Sequence, residues 1–244
     1  MEKCLKELKG HSGSKVYLIE KDNECFVRKV GNVQRNYERL TKLKGVLAVP
    51  EILSYNGEVL EMRYIRGMDM RTYLTYHSTT PLIDFLGETF DKLHHHLYIK
   101  NYTDTYEKML SWVYDIPEIP FTRDDILPKL EAEQPCSMYH GDMTLENVIW
   151  DGKKFWWIDP VTVDYDSSVF DAAKLRQDVE CKWFLRHHPL PIEGKLRNIE
   201  FQLNTWYPKN DYFLILMLLR VYLHCQKNSV EYEFVIREIN RLWK

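Results

Sequence analysis

Residues 140–147 read His-Gly-Asp-Met-Thr-Leu-Glu-Asn, and residues 156–159 read Trp-Trp-Ile-Asp. Asp142 and Asn147 stand five positions apart in a loop that precedes a predicted hairpin, whose two β-like runs are joined by an Asp-Gly turn. Asp159 stands at the far end of that hairpin, so the turn is expected to bring it back beside Asn147. The sequence therefore predicts three oxygen-bearing side chains at one place.

Phosphoryl transfer requires this combination of groups. One carboxylate accepts the proton of the attacking hydroxyl, and hard oxygen ligands hold Mg²⁺ against the nucleotide phosphates. The alternative is a capped turn with surface acids, because Asp and Asn favour turns. That alternative accounts for any one of the three residues, but it does not account for the whole string at hairpin distance from the final aspartate.

The string resembles the catalytic loop of the aminoglycoside phosphotransferase and choline kinase-like families, small-molecule relatives of protein kinases that carry His-Gly-Asp where protein kinases carry His-Arg-Asp. The resemblance implies that Asp142 is the catalytic base, that Asn147 and Asp159 are metal ligands, and that His140 braces the loop at the catalytic centre. It also implies ATP or GTP and Mg²⁺ as cofactors. In Val-Phe-Asp-Ala-Ala-Lys-Leu, Asp171 resembles the helix aspartate that braces this loop.

The same resemblance extends to a phosphate-binding lysine. Phe-Val-Arg-Lys at residues 26–29 resembles the strand that ends on this lysine, and Lys29 is preferred over Arg28 because it shares a strand face with Val27. Glu38 resembles the helix glutamate that pairs with the lysine. A solvated strand lysine and an ordinary helical charge face are the alternatives for these two positions.

Two further segments resemble nucleotide-contacting loops. One is a glycine- and serine-rich loop before a predicted strand, whose backbone and hydroxyls could donate to phosphate oxygens. The other is the hinge, where the main chain holds adenine. The residues identified in these segments are Ser12, Gly13, Ser14, Arg63 and Ile65.

The order of predicted elements favours an α+β chain with two lobes. In front, strands are predicted over 15–20, 24–30, 51–54 and 59–65, with a helix over 33–44. Behind, helices are predicted over 82–98, 106–114 and 124–133, and from 169 onward. The resemblance implies a protein-kinase-like fold. Residues 1–65 would form a small antiparallel-sheet lobe that binds the nucleotide, and residues 66–244 would form a mostly helical lobe for catalysis and acceptor binding.

Composition excludes several other classes of function. Apolar residues make up 45% and charged residues 28% of the 244, which is typical of a globular chain. A net charge of −3 argues against non-specific nucleic-acid binding. Five cysteines without a Cys-x-x-Cys pair indicate neither a zinc site nor a disulfide framework, so a reduced, cytoplasmic location is expected. No apolar run is long enough to span a membrane, and the oligomeric state is not indicated.

The acceptor is the least determined part of the prediction. Residues 161–244 hold 11 acidic and 12 basic residues, whereas a polycationic aminoglycoside would require an acidic wall, so we expect a neutral or anionic small-molecule hydroxyl acceptor. Trp183, Trp206 and Tyr207 could stack on a sugar or surround a quaternary ammonium, and helix-core packing is the alternative for each.

The loop resembles most closely those phosphotransferases that occur with bacterial surface-polysaccharide genes, which implies a carbohydrate or carbohydrate-like acceptor. A choline, ethanolamine or aminoglycoside kinase is an alternative within this group, and a nucleotide-binding scaffold without turnover is an alternative of another class. Pro160 follows Asp159 directly and no Ala-Pro-Glu string appears later, so a protein-kinase activation segment is absent from the sequence. This absence disfavours a protein acceptor.

Overall fold

The computed structural model of the protein describes residues 2–8, 14–95, 98–113 and 116–244. The chain forms two compact units, each assembled from separate segments. The first comprises Met1–Tyr73, His140–Asp142 and Asn147–Val163. The second comprises Leu74–Tyr139, Met143–Glu146 and Asp164–Lys244. The 140–147 string therefore contributes residues to both units, whereas the predicted lobes follow the chain without interruption.

The first unit contains a five-stranded antiparallel sheet in the order β1-β2-β3-β5-β4. Its elements are β1 (Lys3–Leu8), β2 (Lys15–Lys21), β3 (Glu24–Val30), α1 (Gln34–Leu43), β4 (Ile52–Tyr55) and β5 (Val59–Arg63). Tight turns join β2 to β3 and β4 to β5. Asp22 and Asn23 have φ values of +52° and +66° between β2 and β3, as a mirrored two-residue turn requires. Gly57, with φ +97°, turns the chain between β4 and β5.

Helix α1 packs its apolar side on the sheet. Leu40 and Val33, which precedes the helix, cluster with Leu60 and Met62 of β5. The buried positions of the helix are 36, 39, 40 and 43, which is the spacing of a single helical face. Two of these buried positions are polar, Asn36 and Arg39, so α1 presents hydrogen-bonding groups as well as apolar surface to the interior.

A second, three-stranded sheet completes the first unit in the order β10-β9-β6. Its strands are β6 (Met68–Asp69), β9 (Val148–Trp150) and β10 (Phe155–Trp157). The Asp-Gly turn predicted between β9 and β10 is present, with Gly152 at φ +94°. Gly67, just before β6, allows a close approach to β9, because a Cβ atom at this position would lie 2.3 Å from the Trp150 carbonyl oxygen.

Helices dominate the second unit. They are α3 (Thr80–Leu93), α4 (Thr103–Leu110), α5 (Arg123–Ile126), α6 (Ser168–Val179), α7 (Glu193–Trp206), α8 (Asp211–Tyr222) and α9 (Val230–Leu242), and α2 (Met70–Tyr76) runs across the division between the units. Positions 213–219 of α8 are all buried, as expected for the most apolar run of the chain. Within the residues that the structure describes, no helix is long and apolar enough to cross a membrane.

The structure corrects two of the predicted helices. The helix predicted over 82–98 ends at Leu93, and Tyr98–Asn101 instead forms β7, which pairs antiparallel with β8 (Glu133–Cys136). Aromatic and β-branched residues at 98 and 99 favour this strand. The helix predicted over 124–133 shortens to α5 and one 3₁₀ turn, because Pro128 cannot continue an α-helical ladder.

Candidate nucleotide and phosphoryl-transfer site

The His-Gly-Asp segment depends on a glycine at its centre. Gly141 has φ +92°, and a Cβ atom there would lie 2.0 Å from the Val161 carbonyl oxygen. The amide of Val161 in turn donates to the His140 carbonyl at 3.0 Å. Because the residues after the hairpin press against this loop, only a residue without a side chain fits at position 141.

His140 is fully buried and connects the two ends of the hairpin. Its Nδ1 accepts a hydrogen bond from the Asp142 amide at 3.3 Å, so the ring proton is on Nε2. Burial lowers the pKa of His140 to about 4, although Asp142, Asp159 and a backbone hydrogen bond at Ile158 favour the charged form. The imidazole is therefore neutral at neutral pH and braces the loop through hydrogen bonds.

Asn147 fixes the carboxylate of Asp142. Its Nδ2 donates to the Asp142 carbonyl oxygen at 2.8 Å and to Oδ2 at 2.9 Å. Both partners only accept, so the amide nitrogen must face them, and Oδ1 points elsewhere. The Asn147 carbonyl accepts the Ile158 amide at 2.9 Å, which returns Asp159 to the neighbourhood of Asn147, as the hairpin predicts.

Asp159 adopts a left-handed backbone conformation with φ +54°, which aspartate tolerates better than most residues. Its Oδ1 accepts from Lys29 Nζ at 2.5 Å and from Asn36 Nδ2 at 2.9 Å. The side chain is 44% exposed. Oδ2 accepts no hydrogen bond from the described residues, so one carboxylate oxygen remains available to a ligand.

Lys29 and Arg28 point to opposite faces of β3, since side chains alternate along a strand. The Lys29 side chain is only 5% exposed and pairs with Asp159. Arg28 binds Glu2 and Glu61, and these two carboxylates raise the pKa of its guanidinium. Of the two basic residues, Lys29 is therefore the one that reaches the candidate site.

The helix residue that meets Lys29 is Asn36, with 3.4 Å between Nζ and Oδ1. Glu38, expected to pair with the lysine, instead accepts a hydrogen bond from Gln34 Nε2 at 2.9 Å on an exposed part of α1. The physical reason is the rotation of the helix: positions 36 and 38 are two residues apart and therefore point in directions that differ by roughly 200° around the helix axis. The predicted Lys29–Glu38 pair is absent from this structure.

The expected nucleotide-contacting loops are described only in part. Ser12 and Gly13 lie outside the described residues, whereas Ser14 is buried and donates weakly to the Asn32 carbonyl at 3.4 Å. In the hinge, the Arg63 amide already donates to the Glu51 carbonyl at 2.8 Å. No hydrogen bond within the described chain uses the main chain of Ile65, so its amide and carbonyl remain available to a ligand such as adenine.

Side-chain oxygens of the first unit are of the kind that bind Mg²⁺. Among the described residues, no group of three or more His, Cys, Asp and Glu side chains could hold a metal by itself. Asp159 Oδ2 and Asn147 Oδ1 supply two hard oxygens, which is typical of a magnesium ion that takes its other ligands from phosphates and water.

Residues Met143–Glu146 of the string belong to the second unit, where Asp178 near the end of α6 and Arg186 beyond that helix bind them. Asp178 is fully buried, and its Oδ2 accepts the Leu145 amide at 2.5 Å. Glu146 pairs at 3.0 Å with Arg186, whose side chain is 4% exposed. Burial, with a smaller contribution from Glu146, raises the pKa of Asp178 to about 8. Asp171, expected to brace the loop, is buried in the first turn of the same helix.

The sequence reasoning missed Asn36, Asp178 and Arg186. Asp178 follows Asp171 by seven residues, a spacing that places both on one face of α6, and this repeat is a signal that the sequence did offer. No comparable pattern marks Arg186. Asn36 precedes Glu38 by two positions, and it was overlooked because the resemblance led us to expect a glutamate there and not an asparagine.

The three aromatic residues considered for the acceptor belong to packed groups. Trp183 is 7% exposed and contacts Phe234 and the Arg186 guanidinium. Trp206 and Tyr207 both contact Phe90, and the buried Tyr207 hydroxyl also bonds with Ser168 at 2.8 Å. Trp183 and Tyr207 are buried and Trp206 is half-buried, and an acceptor role for the three stays a prediction.

Neither a protein-family model nor a curated protein sequence matches the chain. Solved structures do match it. A thermostable mutant of aminoglycoside phosphotransferase APH(4)-Ia, in its apo form, aligns over 99% of this chain and 94% of its own with a TM-score of 0.73 and 12% identity. The same enzyme in a ternary complex with AMP-PNP and hygromycin B aligns over 97% and 92%, with a TM-score of 0.70 and 12% identity.

A protein from Haemophilus somnus 129PT, designated a fructosamine-3-kinase, aligns over 100% of this chain and 91% of its own, with a TM-score of 0.64 and 12% identity. These alignments span nearly the full length of each chain. The protein therefore has the α+β, protein-kinase-like fold of small-molecule phosphotransferases, with a small antiparallel sheet at the front and a mostly helical remainder. The fold predicted from the His-Gly-Asp string is confirmed.

Proposed function

We propose that the protein is an ATP- and Mg²⁺-dependent kinase that transfers the γ-phosphate to a hydroxyl group of a sugar or sugar-like metabolite. The observation that carries the proposal is the connected set Asp142, Asn147, Asp159 and Lys29. Asn147 holds the Asp142 carboxylate at 2.9 Å, the hairpin returns Asp159 beside Asn147, and Lys29 binds Asp159 at 2.5 Å. The fold of phosphotransferases supports the same reaction class.

Asp142 is the group that accepts the proton. As the acceptor oxygen forms its bond to the γ-phosphorus, the bond from phosphorus to the ADP oxygen breaks, and the hydroxyl proton passes to the Asp142 carboxylate. Asn147 keeps that carboxylate in one orientation through two hydrogen bonds. His140, neutral and buried, holds the adjacent backbone, so little rearrangement is needed during transfer.

The remaining residues serve the nucleotide. The Lys29 ammonium supplies positive charge for the phosphates that are not transferred, and the Ile65 main chain offers a donor and an acceptor to adenine. Asp159 and Asn147 would hold Mg²⁺, which when bound neutralises the charge that develops between the β- and γ-phosphates.

A neutral or anionic acceptor is the best supported class. Residues 161–244 carry 12 basic and 11 acidic residues, which gives no acidic wall for a polycation. APH(4)-Ia, an aminoglycoside phosphotransferase, has been solved with hygromycin B bound, and the neighbour from Haemophilus somnus 129PT is designated a fructosamine-3-kinase, which supports a small-molecule acceptor but not its charge. We therefore place sugars and sugar phosphates ahead of aminoglycosides and choline.

The test is a search for the product. The protein is incubated with γ-labelled ATP, Mg²⁺ and a fractionated bacterial metabolite extract, and mass spectrometry detects a metabolite that gains one phosphate. Asp142→Asn should lower this turnover by about 10²- to 10⁴-fold, since it removes the base. ADP binding should change by less than about twofold. Asp84→Asn, an exposed acid in α3, serves as the matched control and should retain full turnover.

Each outcome distinguishes one hypothesis. Full activity in Asp142→Asn would contradict the mechanism. Mg²⁺-ADP binding without any labelled metabolite, across neutral, anionic and cationic fractions, would favour a nucleotide-binding scaffold. Label that appears in protein or nucleic acid would point to a macromolecular acceptor instead.

A further inference from the structure

Asn36 lies where α1, β3 and the segment after β10 meet within the first unit. Its Nδ2 donates to Asp159 Oδ1 at 2.9 Å and to the Pro160 carbonyl at 2.8 Å, and its Oδ1 is 3.4 Å from Lys29 Nζ. The residue is 6% exposed. Both polar atoms of this side chain, Nδ2 and Oδ1, therefore have partners in the candidate site.

The partners dictate both the orientation and the type of the residue. The Asp159 carboxylate and the Pro160 carbonyl only accept hydrogen bonds, while the Lys29 ammonium only donates. An amide satisfies all three, with its nitrogen toward the acceptors and its oxygen toward the ammonium. A carboxylate at position 36 would keep the contact with Lys29 but would place acceptors against two other acceptors.

The amide also changes how charge is distributed. Because Asn36 is neutral, Asp159 is the only carboxylate that pairs with Lys29 in the described chain. Asn36 binds Asp159 on the same oxygen, Oδ1, that Lys29 uses, and it leaves Oδ2 without a hydrogen bond within the described chain. Its second bond, to Pro160, holds the backbone just after the left-handed φ of +54° at Asp159.

We propose, on the basis of the proposed function, that Asn36 is a positioning residue for Asp159. It clamps the carboxylate and the following carbonyl from α1, so that Asp159 presents Oδ2 to the metal while Oδ1 remains with Lys29. In this arrangement the helix residue holds the metal-binding aspartate rather than the lysine. The α1 helix and the metal ligand are then coupled through one neutral side chain.

Asn36→Asp separates these two roles. If position 36 acts by holding Lys29, aspartate is equal to or better than asparagine. If it acts by holding Asp159, aspartate is as harmful as Asn36→Ala, because both lose the donor. Gln34→Ala removes an amide from the same helix at an exposed position and is the matched control, since among the described residues the Gln34 side chain bonds to Glu38 alone.

The first readout is binding rather than activity. Mn²⁺, followed by electron paramagnetic resonance, is titrated in the presence of ADP, and ADP binding is measured separately with a metal chelator. Hydrogen bonds to a charged group account for about a tenfold effect or more, so Asn36→Asp and Asn36→Ala should both weaken Mn²⁺-ADP binding at least that much. Metal-free ADP binding should change by less than about twofold. Wild-type Mn²⁺-ADP affinity in Asn36→Asp would overturn the proposal.

The second readout needs no ligand. Asn36→Ala, Asp159→Ala and the double variant are unfolded in urea, and direct contact predicts that the double variant shifts the midpoint by less than the sum of the single shifts. Additive shifts would overturn the proposal. If the wild-type protein binds no Mn²⁺-ADP and turns over no ATP, the proposed function fails, and this cycle still decides whether Asn36 holds Asp159.

Discussion

Asp178 provides a measurable dependence of stability on pH. The carboxyl is fully buried, accepts the Leu145 amide through Oδ2, and has an Oδ1 that makes no hydrogen bond with the described residues. Burial and the nearby Glu146 raise its pKa to about 8 from the ordinary 3.8, against the opposing effects of the Leu145 amide, Lys174 and Arg186. The folded protein therefore keeps a proton on Asp178 at neutral pH, whereas the unfolded chain does not.

The sign follows from this difference in bound protons. Between about pH 4 and pH 8 the Asp178 carboxyl binds one proton more in the folded state than in the unfolded state, so its contribution to stability falls as the pH rises. His140, whose pKa is lowered to about 4 in the folded state, contributes in the opposite direction below about pH 6.5, and this effect is common to wild type and variant. One pKa unit corresponds to about 1.4 kcal/mol, and two units of pH therefore remove about 3 kcal/mol between pH 5 and pH 7. Asp178→Asn keeps an acceptor for the Leu145 amide and cannot titrate, so the contribution of Asp178 to the slope of stability against pH should vanish in the variant.

Urea unfolding followed by tryptophan fluorescence at pH 5, 6 and 7 measures the effect on a chain with seven tryptophans. At pH 5 the two proteins should be similar, and the advantage of Asp178→Asn should grow by about 3 kcal/mol on reaching pH 7. Asp84→Asn, at an exposed position, should follow the wild-type curve at every pH. Parallel curves for wild type and Asp178→Asn would refute the burial of a protonated carboxyl at this position.

Two other substitutions test the supports of the 140–147 string. Gly141→Ala should lower the free energy of unfolding by about 2 kcal/mol or more, because alanine adopts the left-handed φ at a cost and its Cβ would meet the Val161 carbonyl. A free energy of unfolding in urea within about 0.5 kcal/mol of wild type would contradict this. Arg186→Met should cost about 2 kcal/mol in the same assay, since it leaves the partly buried Glu146 without its cation. Lys108→Met removes the cation of an exposed ion pair and should cost less than about 1 kcal/mol, and equal losses in the two variants would show that burial of Arg186 adds nothing.

Local sequence signals predicted the parts of the fold whose geometry is set by neighbouring residues. The turn at Asp22 and Asn23 and the glycines at 57 and 152 adopt the positive φ values that their residue types favour. Each of these turns closes a hairpin, and the three hairpins supply three of the six strand pairings described in the two sheets of the first unit. The strand at Tyr98–Asn101 escaped prediction because its partner lies more than thirty residues later, at Glu133–Cys136.

In the candidate site too, contacts between residues close in the sequence were predictable, whereas contacts between distant residues were not. Asp142 and Asn147 are five residues apart, and the Asn147 carbonyl accepts the amide of Ile158, the residue before Asp159, across one short hairpin. The local sequence therefore carries most of the information needed to bring these residues together. Lys29 and Asn36 reach Asp159 across more than a hundred residues. Sequence can nominate residues for such contacts by type, but it does not state which side of a helix faces inward.

Helix α1 shows why residue type alone was insufficient. A glutamate at position 38 satisfied the expectation of an acid near Lys29, yet the buried face of α1 is defined by Leu40 and Leu43, and that face includes Asn36 and not Glu38. Apolar packing determines the rotation of the helix, because each buried leucine contributes more free energy than one exposed ion pair. The polar residue that shares the leucines' face is consequently the one that contacts Lys29 and Asp159. An amide in that place gives Asp159, the proposed metal ligand, the hydrogen-bond donor that a carboxylate at the same position could not supply.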